Sequence, residues 1–295
     1  MTENQHNKNL QELRSEIDEI DTQIIELIKR RMSIIPRVGE IKKINGEKFF
    51  IKSSREIDMI KNLVKQVDGN FLKLTIANIW RKLITLANME EQALKIGIHN
   101  PDGISDYEYL VREYFSQQVL ITNFDSTTNL IAEMQKSAIN IGVFLLPNPE
   151  ENFDKKDTMQ KNWWINMANN RVGLKIYAKI PFVELASQKN KKNLQLVLTA
   201  IKDAEPSESD FTLLSIEVAS EVSKTEIFSL FKDHNNYFKI LSNVKNSQFI
   251  GISLYLIEIQ GFYLENDFLI KNLLQNKIKP FIKVLGHYPA PIILD

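Results

Sequence analysis

The stretch LIKRRMSIIPRVGEIKK, residues 27–43, places a cation where its surroundings call for an aliphatic side chain. Residues 10–41 carry a seam of positions three or four residues apart, which is typical of a long helix packed against other helices. The seam consists of Leu10, Leu13, Ile17, Ile20, Ile24, Leu27, Arg31, Ile34, Val38 and Ile41. Because a buried guanidinium without a counter-charge is strongly unfavourable, Arg31 predicts an anionic partner inside a helical bundle.

The bulk composition limits the classes of protein that need to be considered. A chain of 295 residues predicts two or three domains, and its 37 basic and 37 acidic residues balance, so charge does not indicate a nucleic-acid or membrane partner. The chain has no cysteine, and its four scattered histidines lack ligand spacing, so no metal site is expected. The polar N-terminus does not resemble a signal peptide, and no stretch approaches the roughly 18 apolar residues of a membrane span. We therefore expect a soluble, cytoplasmic protein.

Three helices are predicted in the first 92 residues. The first spans residues 9 to about 43, the second spans 53–67 and the third spans 74–92. Ser53 and Ser54 are candidate N-caps of the second helix, since a hydroxyl at this position accepts a hydrogen bond from the first turn. Together these helices predict an all-α domain.

The pattern changes after residue 92. Short apolar runs bounded by Gly, Asn and Pro, at 95–100, 139–147, 171–184 and 193–201, predict strands that alternate with helices. The polar, proline-containing segment 204–210 has the composition of a linker. The middle region, 93–203, is therefore predicted to be an α/β domain.

The last region predicts the order strand, helix, strand, strand, helix, strand, which is the ferredoxin-like arrangement. The expected fold class is thus multidomain, with an all-α domain at 1–92, an α/β domain at 93–203 and an α+β ferredoxin-like domain at 204–295.

The basic residues of the first helix indicate a site shared between two chains. Arg31 and Lys42 are eleven residues apart, about three turns, so they project from nearly the same face. Arg14 lies about 25 Å from Arg31 along the helix. A small ligand that contacts both arginines must therefore bind Arg31 of one chain and Arg14 of another. A long helix with only two short partners also buries its seam poorly as a monomer. We therefore expect a homodimer.

The runs LRSEIDEIDTQIIELIKRRMSIIPRVGEIK, FIKSSREIDMI and IWRKLITLANMEEQ together resemble the all-helical chorismate mutase family over about residues 9–92. The resemblance implies a domain-swapped dimer that converts chorismate to prephenate without a cofactor. It also implies that Arg14 reaches into the partner's site, while Arg31 and Arg55 bind the carboxylates of the substrate. Taken alone, each of these arginines reads as an ordinary solvated or salt-bridged side chain, and only their joint spacing favours a site.

The resemblance assigns three further residues. Lys42 matches the lysine that binds the ether oxygen and a carboxylate, Glu56 matches the acid that holds the substrate hydroxyl, and Glu91 matches the second partner of the ether oxygen. Gln92 is the alternative to Glu91, because a slip of one position would place it there. The rearrangement occurs within one molecule, so it needs positioning and charge stabilisation rather than a nucleophile or metal. Pro36 inside the long helix departs from a regular helical sequence.

The remaining chain more faintly resembles a prephenate dehydratase followed by an ACT regulatory domain. Asn193, Leu194 and Gln195 stand where a dehydratase has Thr-Arg-Phe, and Asn100 and Ile104 replace its glycine and threonine. We therefore expect this region to lack dehydratase activity. The ACT-like segment lacks the usual ligand signatures, which makes phenylalanine binding doubtful. Regulation by an aromatic amino acid effector stays open as an alternative.

Two other readings of the whole chain stay open. The first is a bifunctional chorismate mutase and prephenate dehydratase, and the second is a non-catalytic regulatory protein of the same pathway. The pair Trp163 and Trp164 suggests a stacking platform, but such a pair more often packs in a core.

Overall fold

The structure is a computed structural model of the chain. It describes residues 3–47, 49–149, 162–170, 173–186, 194–231, 237–245 and 251–294, with side chains described from residue 9. Internal contacts divide the chain into two units, which are Met1–Phe50 with Ala87–Ala93, and Ile51–Leu86 with Leu94–Asp295. These units differ from the predicted domains, whose boundaries stay predictions.

The three helices predicted for the first 92 residues are present. They are α1 (Glu3–Ile44), α2 (Ser53–Val64) and α3 (Asn70–Glu91). Pro36 lies inside α1 without ending it, and the helix stops at the Asn45-Gly46 turn, where Gly46 has a φ of 76°. A positive φ is easily adopted by glycine and not by residues with a Cβ.

The predicted N-caps of α2 are wrong. The N-cap position is Lys52, and no side chain caps the helix. The Ser53 hydroxyl donates instead to the carbonyl of Tyr177, and the Ser54 hydroxyl donates to the carbonyl of Glu205. Carbonyl groups of distant segments thus accept hydrogen bonds from the two hydroxyls, which the local sequence does not reveal.

The apolar seam of α1 is exposed in the described chain. Eight of its side chains are between 45% and 64% exposed, namely Leu10, Leu13, Ile17, Ile20, Ile24, Leu27, Ile34 and Ile41. Single exposed aliphatic residues are common on protein surfaces, whereas a continuous stripe of this length marks an interaction surface.

The second unit contains the strands. Its first part holds β1 (Lys95–His99), α4 (Ser105–Tyr114), β2 (Leu120–Phe124), α5 (Thr127–Gln135), β3 (Ile141–Leu145), α6 (Trp163–Ala168), β4 (Leu174–Ile180), β5 (Val183–Leu185) and β6 (Leu196–Ile201). Its last part holds β7 (Asp210–Ala219), α7 (Lys224–Leu230), β8 (Phe238–Lys245), β9 (Ile252–Gln260), α8 (Phe268–Leu274), β10 (Phe281–Pro289) and β11 (Ile292–Leu294). The strand–helix–strand–strand–helix–strand order expected for the last region is therefore present.

Within the described residues, nine strands form one mixed sheet in the order β2-β1-β3-β6-β4-β10-β7-β9-β8. β1 pairs in parallel with β2 and β3, and β4 pairs in parallel with β10. The four strands β10-β7-β9-β8 pair antiparallel. The sheet therefore runs without interruption through the predicted α/β and ferredoxin-like regions.

Both faces of the ferredoxin-like part are covered by apolar side chains. α7 and α8 pack on one face, where Ile227 and Ile270 are buried. The other face forms a core with α6, in which Trp163 and Trp164 are fully buried. The tryptophan pair is thus core packing, as expected for such a pair, and not a stacking platform. No helix of the described residues combines the length and apolar character needed to cross a bilayer.

Candidate active site

Lys42 and Glu91, two of the predicted site residues, meet in the first unit. Lys42 Nζ lies 2.5 Å from Glu91 Oε2, although 49 positions separate the two residues in sequence. The side chain of Lys42 is 15% exposed and that of Glu91 is 4% exposed. Lys42 Nζ also donates to the carbonyl of Phe50 at 3.0 Å and lies 5.5 Å from the centroid of its ring. The ammonium group is therefore held on several sides and points at a carboxylate.

Gly39 of α1 packs beside Glu91. A Cβ added at Gly39 would lie 3.4 Å from Cγ of Glu91, which is an ordinary van der Waals contact. Glu91, rather than its alternative Gln92, is the side chain that contacts Lys42.

The two predicted site arginines of α1, Arg14 and Arg31, occupy different environments. Arg31 is half-buried, and burial lowers the pKa of its guanidinium. Arg14 is exposed near the start of the described side chains. Of the predicted groups on α1 and α3, Lys42 and Glu91 are the pair that the structure joins by a hydrogen bond.

In the second unit, the neighbours Arg55 and Glu56 face opposite environments. Arg55 is exposed and lines an open depression of about 580 Å³ that is shared with Asp58, Asn62 and Pro206. Glu56 is 7% exposed, and its Oε2 accepts a hydrogen bond from Arg81 Nη1 at 2.8 Å. The predicted hydroxyl-binding carboxylate therefore lies in a buried ion pair.

Sequence reasoning missed Arg81, although a signal for it exists. Arg81 follows Ala77 by four positions and precedes Ile84 by three, so it lies on the buried face of α3. A cation within an apolar stripe is the same anomaly that singled out Arg31. Applied to α3, it would have predicted a buried partner for Arg81.

The start of α2 is also tied to the segment 204–210, which the composition marks as a linker. Lys52 Nζ pairs with Glu205 Oε1 at 2.6 Å, and Lys202 Nζ lies 3.3 Å from Oε2 of the same residue. Ser54 donates to the carbonyl of Glu205. The segment does connect β6 to β7, but these bonds fix it against α2, so it is not a free linker.

The positions that depart from the dehydratase pattern form their own contacts. Asn193 lies outside the described residues. Gln195 donates from Nε2 to Glu184 at 3.2 Å, while Asn100 and Ile104 are joined by two hydrogen bonds between the Asn100 amide and the Ile104 backbone. None of the described replacements supplies a hydroxyl or a guanidinium group. Among the described residues, no three His, Cys, Asp or Glu side chains cluster as metal ligands would.

Trp163 of α6 packs at the carboxyl end of β3. β1 lies between β2 and β3 in the sheet, so the strand order reverses at β1. Ligands of open α/β sheets bind at such switch points. Here Trp163 stacks on Phe144 with the ring centroids 4.7 Å apart, and its Nε1 donates to the carbonyl of Leu145. Burial lowers the pKa of His99, the last residue of β1, to about 4, so this imidazole is neutral at pH 7.

Comparison with known proteins confirms the resemblance drawn from the sequence. Residues 13–92 match the family model of chorismate mutase type II. Over 145 residues the chain is 29% identical to a bifunctional chorismate mutase/prephenate dehydratase of Aquifex aeolicus (strain VF5), and the match covers 48% of this chain and 40% of that protein. The chain therefore matches less than half of the length of this curated relative.

Solved structures of prephenate dehydratases are also similar to the chain. The Streptococcus mutans enzyme is 13% identical, with a TM-score of 0.45, over 68% of this chain and 100% of that one. The enzyme of Arthrobacter aurescens in complex with L-Phe is 11% identical, with a TM-score of 0.46, over 68% of this chain and 93% of that one.

Proposed function

We propose that the chain is a chorismate mutase, which rearranges chorismate to prephenate in the biosynthesis of phenylalanine and tyrosine. The observation that carries the proposal is the contact of Lys42 with Glu91 at 2.5 Å, inside the segment that matches the mutase family. The reaction breaks a C–O bond and forms a C–C bond in one molecule. A protein accelerates it by holding the reactive conformation and by stabilising charge on the ether oxygen, and no cofactor is required.

The proposed roles follow the chemistry of each side chain. Lys42 and Glu91 lie together and would both donate to the ether oxygen. Arg31 and Arg55 would bind the two carboxylates, because a guanidinium binds a carboxylate through two parallel hydrogen bonds and stays charged. Glu56 would accept a hydrogen bond from the substrate hydroxyl.

The role of Glu91 leads to a prediction for two substitutions. An ionised carboxylate only accepts hydrogen bonds, so Glu91 must carry a proton in order to donate one to the ether oxygen, whereas the amide of glutamine always carries N–H donors. We predict that Glu91→Gln keeps kcat/KM for chorismate at or above the wild-type value and that Glu91→Ala lowers it by about 100-fold. Steady-state kinetics of the three proteins measure this. A folded Glu91→Ala variant as active as the wild type would reject the role, and Gln92→Ala serves as the control for the neighbouring position.

We also propose that the active form is a homodimer in which α1 packs against a second copy and supplies Arg14 to the partner's site. The exposed apolar seam of α1 supports this, since a two-fold interface lets one apolar stripe cover another. Arg14 is exposed in the single chain, and its distance from Arg31 along α1 prevents both from reaching one small ligand in the same chain.

Mixed dimers test this arrangement. Arg14→Ala and Arg31→Ala are each expected to inactivate the protein. When the two inactive variants are mixed and allowed to exchange subunits, half of the dimers pair one of each, and one site in each such dimer keeps both arginines. The mixture should therefore recover about a quarter of wild-type activity. A mixture as inactive as its components, with subunit exchange verified by mass, would contradict the shared site.

We propose that the region after residue 93 has no dehydratase activity. The support is the set of replaced positions and the packing of Trp163 over the carboxyl end of β3. The ferredoxin-like part is proposed to be ACT-like, and it is the part of the chain on which an aromatic amino acid effector is to be tested.

The decisive experiment follows chorismate consumption and product formation by the purified full-length chain. Consumption of chorismate with accumulation of prephenate supports the proposal, and added phenylalanine tests the effector. Formation of phenylpyruvate from prephenate would instead establish the bifunctional enzyme. A folded chain that leaves chorismate unchanged would identify a non-catalytic protein.

A further inference from the structure

A buried cluster joins three helices of the second unit. It consists of Glu56 from α2, Arg81 from α3 and Tyr114 from α4, which are 7%, 1% and 3% exposed. Arg81 Nη1 donates to Glu56 Oε2 at 2.8 Å and to the Tyr114 hydroxyl at 3.1 Å. Since α4 follows β1, this Glu56 cluster includes a residue from outside the segment that matches the mutase family.

The orientation of Arg81 depends on its two partners. Its Nε and Nη2 atoms are buried and have no hydrogen-bond partner among the described residues. The guanidinium carbon lies 4.6 Å from the centroid of the Tyr114 ring, a distance at which the ring face attracts a cation. The Tyr114 ring is itself packed edge-on against Phe182 at 5.7 Å. Burial raises the pKa of Tyr114 to about 12, so the phenol stays neutral beside the cation.

We infer that Arg81 and Tyr114 are positioning residues, which hold the Glu56 carboxylate ready to accept a hydrogen bond from the hydroxyl of chorismate. This inference rests on the proposed mutase function. A glutamate has three rotatable bonds, and a charge-assisted hydrogen bond to a buried guanidinium fixes its terminal carboxylate before the substrate arrives. A carboxylate oxygen accepts more than one hydrogen bond, so the contact with Arg81 is compatible with the contact to substrate.

The inference gives the region after residue 93 a part in mutase chemistry. Tyr114 fixes Arg81, and Arg81 fixes Glu56. An ion pair that only stabilised the fold would affect unfolding without changing how the folded protein discriminates between substrates. Recognition of the hydroxyl group therefore separates a positioning role from a structural one.

Tyr114→Phe in the full-length chain is the principal test, because it removes the hydroxyl and keeps the ring. We expect kcat/KM for chorismate to fall about threefold, because the lost hydrogen bond from Arg81 orients Glu56 only indirectly. With an analogue of chorismate that lacks the hydroxyl group, which Glu56 cannot recognise, the variant and the wild type should be equal. Arg81→Lys should show the same pattern with a larger loss, since lysine lacks the planar fork.

Lys82→Ala is the matched control. Lys82 is exposed, and its Nζ donates to the carbonyls of Arg112 and Glu113 near the end of α4, so it joins the same two helices without touching Glu56. It should behave as the wild type with both substrates. Equal losses with chorismate and the analogue, or no loss in Tyr114→Phe, would overturn this inference. The proposed function would still stand in that case, provided that the wild-type chain consumes chorismate. A folded wild-type chain that does not consume chorismate overturns both.

Discussion

Replacing Lys42 by alanine is expected to lower kcat/KM for chorismate by about 100- to 1000-fold, the usual effect of removing one preorganised donor from a developing negative charge. The ammonium group is nearly buried and is aimed at Glu91 by the carbonyl of Phe50 and by the carboxylate itself. Because these contacts already fix Lys42 in the unliganded protein, little reorganisation is needed when charge develops. Steady-state kinetics over a range of chorismate concentrations measure the effect.

Lys43→Ala is the control for this prediction. Lys43 has the same charge, lies in the same last turn of α1 and is exposed. Its replacement should leave kcat/KM within about twofold of the wild type, since an exposed charge contributes little. If Lys42→Ala folds and keeps wild-type activity, or if both variants lose activity equally, Lys42 does not stabilise the ether oxygen.

Gly286→Ala is expected to give the largest loss of stability. Gly286 has a φ of 146° and pairs with Ile176 where β10 meets β4, the junction between the two parts of the sheet. A Cβ at this position would overlap the backbone nitrogen and oxygen of Ile176. The strained backbone and the displaced strand together should cost about 3 kcal/mol or more in the free energy of unfolding. Urea denaturation monitored by circular dichroism measures it.

Gly103→Ala separates strain from overlap. Gly103 also has a positive φ, of 65°, but no atom lies within 4 Å of an added Cβ. Its replacement should cost only about 1 kcal/mol. Equal losses for the two variants would show that β4 and β10 do not approach as closely as described.

The periodic parts of the fold could be predicted from the sequence. Helix α1 follows from a seam of one residue every three or four positions, and the strands follow from short apolar runs between Gly, Asn and Pro. The strand β2 was not predicted, because none of the residues of LITNF is fully buried and its sequence shows no clear alternation. The caps of α2 were wrong because the partners of Ser53 and Ser54 lie more than a hundred residues away.

The candidate site, like the fold, was predicted only in part from the sequence. Lys42 and Glu91 were predicted from the resemblance to the mutase family, and the structure brings their side chains into contact. Glu56 was predicted as a substrate ligand, but its ion pair with Arg81 was not, because the two residues lie on different helices whose packing the sequence does not specify.

The resemblance to the mutase family supplied the predicted site residues, and the sequence by itself determined the helical character of the first 92 residues and the strand pattern that follows. These features depend on neighbours within about one or two turns, where spacing fixes which side chains share a face. Only the tertiary structure decided that Lys42 meets Glu91, that Arg81 and Tyr114 surround Glu56, and that one sheet passes from β4 to β10. Such contacts join residues far apart in the chain, and their geometry is set by how whole helices and strands pack, which no local pattern encodes.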